Sequence, residues 1–132
     1  MAAPNIVNVT TIYGKTTYLT PGGTTAVVLL PNAAASGKVF KINQIVVANV
    51  DGTNAVDCTV SLYTNGGVAQ GSAPSGGTAY ALASTVSVPA DASLIVLDKS
   101  TGLYLEEDRS IVVTSGTASK LTFTVSYEEI SS

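Results

Sequence analysis

The sequence predicts an all-β fold, an antiparallel β-sandwich of about eight strands, jelly-roll-like or, as the alternative, immunoglobulin-like. Three observations carry that expectation. The composition is rich in Thr (17), Ser (14), Gly (12) and Val, and poor in the Glu, Lys, Leu and Arg that fill helices. Thr and Val lose rotamer freedom in a helix but fit a pleated surface. Apolar residues recur with period two, the mark of half-buried strands. Turn residues then punctuate the chain at short, even spacing, as sandwiches and barrels require. A chain of 132 residues fits one domain and can bury about two-thirds of the surface that its unfolded form exposes.

The elements follow in chain order. Residues 1–20 are apolar and Thr-rich, with Ile6, Val7, Val9, Ile12, Tyr13, Tyr18 and Leu19. They form an N-terminal arm that either adds an edge strand to its own sheet or reaches a neighbouring subunit by strand addition. Residues 21–132 hold the sandwich. Continuous apolar runs, "TAVVLL" (25–30), "QIVVANV" (44–50), "LIVL" (94–97) and "IVV" (111–113), suit strands in mid-sheet or under a cover. "AVDCTVSLY" alternates Val56, Cys58, Val60 and Leu62 against Asp57, Thr59 and Ser61. "YALASTVSV" sets Tyr80, Leu82, Val86 and Val88 on one side, and "LTFTVSYEEI" does so with Leu121, Phe123, Val125 and Tyr127. Turns fall at Pro21-Gly22-Gly23, Pro31-Asn32, Asp51-Gly52, Asn65-Gly66-Gly67, Pro89-Ala90, Thr101-Gly102 and Ser115-Gly116. Between Asn65 and Thr78 the Gly/Ser-rich stretch "NGGVAQGSAPSGGT" reads as a long flexible loop.

Chemistry is hard to place. The chain has no His, which removes Ser-His-Asp and Cys-His nucleophile systems, and one Cys without His cannot furnish a zinc site. Cys58 lies within a strand pattern and is expected to be a buried thiol. Five Lys and one Arg, scattered through a chain of net charge −3, exclude the phosphate-neutralising surface of a nucleic-acid binder. No apolar run reaches the length of a membrane span, and the start of the chain lacks a secretory pattern, so a cytosolic product is expected.

Carboxylates remain. Glu106, Glu107 and Asp108 are the densest charge in the chain. A glycosidase would need two carboxyl groups about 5 to 9 Å apart across a cleft, commonly beside aromatic platforms, and the chain has no Trp. "EEDR" also lacks the alternate acidic spacing of an EF-type calcium loop. The triplet is therefore expected to be an acidic turn between two strands. Asp108 tolerates the left-handed conformation such a turn asks for. No catalytic residue, cofactor or metal is expected.

The run Tyr104-Leu105-Glu106-Glu107-Asp108-Arg109-Ser110-Ile111, with the closing "VSYEEI" of Val125 to Ile130, resembles a C-terminal pattern of small virion structural proteins of tailed bacteriophages. "FKINQIVVANVDG" (40–52), "CTVSLY" and "VPADASLIVLDK" (88–99) are similar to core strands of that family, so the resemblance covers about residues 38–131. Asp108-Arg109 stands where the family has Gly-Asp. The resemblance implies a non-enzymatic sandwich located in the virion and made in the host cytoplasm. It implies a capsid decoration (cement) protein that meets the major capsid protein and forms a homo-oligomer, such as a trimer. A neck or tail accessory protein, or a host-surface adhesin using Tyr63 and Tyr80, are the alternatives. Ile6, Val9, Ile12, Tyr13 and Tyr18 are the candidate partner interface, with neither nucleic acid nor membrane as partner.

Overall fold

Strands with one apolar face must pair and then cover that face. This chain does both by winding one long antiparallel hairpin on itself. The computed structural model describes residues 5–131, the side chain of residue 101 excepted. Its strands are β1 (Thr11–Leu19), β2 (Val27–Asn32), β3 (Lys38–Asn49), β4 (Val56–Tyr63), β5 (Ala79–Val88), β6 (Ser93–Leu97), β7 (Leu103–Leu105), β8 (Arg109–Ser115) and β9 (Leu121–Ser131). One sheet runs β1-β9-β3-β6, with β7 also on β3; the other runs β2-β8-β4-β5. The first strand thus pairs with the last, β2 with β8, β3 with β6 and β7, and β4 with β5, all antiparallel.

A single 3₁₀ turn, Lys99–Thr101, separates β6 from β7, so nine segments fill eight strand positions. This nesting is the jelly-roll order, and the immunoglobulin-like alternative does not have it. Part of the expected arm, residues 1–4, lies outside the described residues, as does Ser132. Residues 11–19 are an edge strand of the chain's own sheet, paired with β9 from Thr11↔Ser131 to Leu19↔Phe123 without a register shift.

The inward faces meet in one core, with Phe123, Ile42, Ile45 and Val47 from one sheet against Val60, Ile111 and Val113 from the other, all fully buried. β9 alternates from Leu121 to Glu129, with Leu121, Phe123, Val125 and Tyr127 inside. Phe40 lies against Tyr127 with ring centroids 5.1 Å apart. Cys58 is fully buried on the inner face of β4. Burial, aided by the charge of Asp57, pushes its thiol pKa up, which disfavours the reactive thiolate. Native protein at pH 8 is therefore expected to react with an aromatic disulfide reagent orders of magnitude more slowly than unfolded protein. Full labelling within the mixing time in native buffer would contradict this packing.

Two expectations need correction. Tyr80, Leu82 and Val86 do not share a buried face with Val88. They are exposed, and only Val88 is buried. The pairing of β5 with β4 shifts register twice, between Cys58 and Val60 and between Val60 and Ser61. Thr85 takes a left-handed φ of 51°. Such bulges re-aim side chains and break alternation.

The stretch 65–78 is a long connection, but it is not free. It folds over the outer face of the second sheet. There Val28, Tyr63 and Val112 form a second buried cluster, with Val68 against it. Its backbone bonds the open edge of β2, through Val28 N–H to Ser72 O (2.9 Å) and Gly71 N–H to Val28 O (2.8 Å). The apolar run of β2 is thus covered on both faces, although β2 is an edge strand.

Candidate functional site

The acidic triplet sits at the corner between β7 and β8. Asp108 has φ 58°, the left-handed conformation expected of it. The three carboxylates do not converge. Glu106 is exposed, while both carboxylate oxygens of Glu107 are buried without a hydrogen-bond partner among the described residues. Asp108 Oδ1 accepts from the Gly66 amide at 3.1 Å. Among the described residues, no group of three or more His, Cys, Asp or Glu is placed to hold a metal ion.

Around the corner the bonds are structural. Ser110 Oγ donates to Asn65 O at 2.9 Å, and Arg109 Nη1 donates to Asp108 O at 2.9 Å. Asn32, buried at the end of β2, donates from Nδ2 to Leu105 O (3.1 Å) and Lys38 O (3.0 Å). Its Oδ1 accepts from Ser36 Oγ at 2.6 Å. Gly66 is seated against the backbones of Asn32 and Arg109, with no room for a side chain. The corner therefore ties the long loop, the end of β2 and the β7–β8 turn into one unit. What the arrangement does chemically is satisfy buried backbone groups, which are costly to leave unpaired.

Sequence reading missed Asn32, Asn65, Gly66 and Gln70 as positioning residues. Asn65-Gly66-Gly67 was legible only as a turn, because the partners lie far along the chain. Gln70 is the second tie of the loop: its Nε2 donates to Leu29 O (2.8 Å) on β2, and to Thr17 Oγ1 (2.9 Å) and Tyr18 O (3.4 Å) on β1. It bridges the edge strands of the two sheets. Glu129 stands among the candidate carboxylates by residue type, and period two from Tyr127 points it inward, but its ion partners are not legible in the sequence. It is 7 % exposed, and its carboxylate meets Lys15 at 3.2 Å from β1 and Lys38 at 3.4 Å from β3.

The candidate partner residues fall into two groups. Ile6 is exposed in a turn that precedes β1, held by the Val7 amide on Asn5 Oδ1 (3.0 Å) and by the Asn8 amide on Asn5 O (3.0 Å). Val9 is half-buried after it. Ile12, Tyr13 and Tyr18 lie on β1 itself, 55 %, 55 % and 71 % exposed. By register Ile12 and Tyr18 share the outer face with Ile130 and Thr124, whereas Tyr13 lies on the inner side beside Glu129. Tyr63 and Tyr80 do not make a common surface. Tyr63 is buried, and its hydroxyl accepts from the Gly77 amide at 2.9 Å, so it acts as a prop under the loop; Tyr80 is exposed on β5.

No protein-family profile matches the chain, and no curated protein matches it. Solved virus structures align with it weakly. One is a chain from the crystal structure of the T13 IBDV viral particle, 6 % identical, TM-score 0.42, over 93 % of this chain and 32 % of that one. Another is from the structure of infectious bursal disease virus Gt strain, 9 % identical, TM-score 0.43, over 92 % of this chain and 31 % of that one. The Gx strain of the same virus gives 11 % identity and a TM-score of 0.31, over 99 % and 41 %. This chain spans well under half the length of each. The strand order stands on the pairing registers alone.

Proposed function

We propose that this chain is a non-enzymatic structural protein of a virus particle, and within that class a capsid decoration (cement) protein of a tailed bacteriophage. The observation that supports it most is the jelly-roll strand order, an architecture that recurs in viral capsid and lectin domains. Fold alone does not assign function. The second support is the resemblance of Tyr104–Ile111 and Val125–Ile130 to virion proteins, since those residues form the structural corner and a middle strand of the first sheet. In this role the exposed Ile12, Tyr13 and Tyr18 of β1, with Ile6 and Val9 before it, contact the major capsid protein or a second copy. Many weak contacts repeated over a shell give high occupancy by avidity.

A neck or tail accessory protein is the second reading, because the same sandwich and the same contact strand serve there. Quantitative mass spectrometry of gradient-purified particles distinguishes the two. The cement role expects this chain in a copy number commensurate with the major capsid protein, and the accessory role a far lower one. Its absence from purified particles would remove both.

A further inference from the structure

A sandwich has open strand edges, and an open edge is a template for another strand. Three of the four edges here are blunted. That of β2 is bonded by Gly71 and Ser72 of the long loop. The β5 edge is bent by two register shifts and the left-handed Thr85. On the far side of β3 the edge is split into β6 and β7 by the 3₁₀ turn. β1 differs. Its nine residues pair with β9 without a shift, and among the described residues it pairs with nothing else.

The usual guard of such an edge is a lysine. Lys15 is the only charged residue of β1, and its amine is engaged by Glu129 at 3.2 Å. At the end of β1, Gln70 takes Tyr18 O and Thr17 Oγ1. The uncapped stretch is therefore Thr11 to Thr17, and its midpoint is Gly14. A Cβ added at Gly14 would meet nothing within 4 Å, so the backbone there is open to close approach.

We infer that β1 pairs antiparallel with β1 of a second copy, about a two-fold axis normal to the sheet at Gly14. This deepens the self-association proposed above by giving it a surface and a register, but it stands on the edge geometry and does not need the virion role. A two-fold interface requires a self-complementary patch, and this register supplies one. Thr11 faces Thr17 of the second copy, Ile12 faces Thr16, and Gly14 faces Gly14. Lys15 faces Tyr13, whose ring accepts a cation. A register centred one position later would instead place Lys15 on the axis against its own copy, and like charges directly opposite are destabilising. The neutral edge also offers no charge code for a different, charged strand, which favours a second copy as occupant.

The test uses the full chain. Sedimentation of the native protein is expected to show a dimer. Opposed residues of an antiparallel pair have Cα atoms about 4.5 to 5.5 Å apart, within disulfide range. The Gly14→Cys variant, whose only other thiol is the buried Cys58, should therefore oxidise to a covalent dimer, while Ile12→Cys and Thr16→Cys should not. In this register each of those lies four residues along from its own copy, about 14 Å away. Circular dichroism checks that each variant keeps its sheet. A native monomer by sedimentation, with no cross-link at Gly14→Cys, would overturn the pairing. Cross-linking at Thr16→Cys or Ile12→Cys in preference to Gly14→Cys would overturn the register. Particle incorporation is scored separately, so the virion role and the pairing fail independently.

Discussion

Gly66→Ala is expected to lower stability by about 3 kcal/mol, roughly 10 °C in Tm for a domain of this size. A Cβ at residue 66 would collide with the Asn32 carbonyl oxygen and come 2.8 Å from both the amide nitrogen and the carbonyl oxygen of Arg109. All three are backbone atoms in the acidic corner, so they cannot swing aside as a side-chain tip would. Relief requires the loop to lift, which breaks the Gly66 amide bond to Asp108 and uncovers Val28, Tyr63 and Val112. Gly67→Ala is the matched control. Its Cβ meets only the Asn65 side-chain oxygen, at 3.2 Å, and less than about 1 kcal/mol of loss is expected. Denaturant midpoints check the pair, and equal losses would mean that the corner is not a fixed point of the fold.

The second large effect is at the opposite end of β3. Asn49 is buried, and its Nδ2 donates to Val88 O (3.0 Å), Asn54 O (3.0 Å) and Pro89 O (3.3 Å). Its Oδ1 accepts from the Asp51 amide at 2.9 Å. One side chain of the first sheet thus holds the chain just before β4 and just after β5 in the second. Asn49→Ala should cost about 2 to 4 kcal/mol, because it leaves several buried backbone groups without partners.

Asn49→Asp adds a sign. A carboxylate there would face three carbonyl oxygens, so its folded pKa is raised above the unfolded value of about 3.9. Stability of that variant, relative to the native chain, is then greatest below the unfolded pKa and falls as pH rises through the folded one. Urea unfolding between pH 3 and pH 7 reads this directly. A pH-independent difference would mean that the carbonyls do not surround residue 49 as described.

Much of the fold was legible because period two survives wherever pairing is regular. "LTFTVSYEEI" became β9 with the expected inward face, and "AVDCTVSLY" became β4. "YALASTVSV" was legible as a strand but not as an exposed one, since bulges belong to the pairing of two strands and leave no mark in either alone. The apolar "VVLL" announced a strand covered on both faces; its cover proved to be the long loop. Composition made that loop look free, and its anchors, Asn65, Gly66 and Gln70, act on residues distant in sequence. The same distance hid the candidate site. Asp108's turn conformation follows from residue type, whereas its bond to the Gly66 amide requires the fold. The ion pair of Lys15 with Glu129 has no mark in the sequence either, because the two lie more than a hundred residues apart.

The most direct test of the proposed cement role is add-back to shells of the encoding virus made without this chain. Saturable binding of the purified protein, with a rise in the temperature at which the shells open, is the predicted result, because a ligand of the closed shell alone stabilises it by mass action. Shells that bind no protein at saturating concentration, and open at an unchanged temperature, would contradict the account.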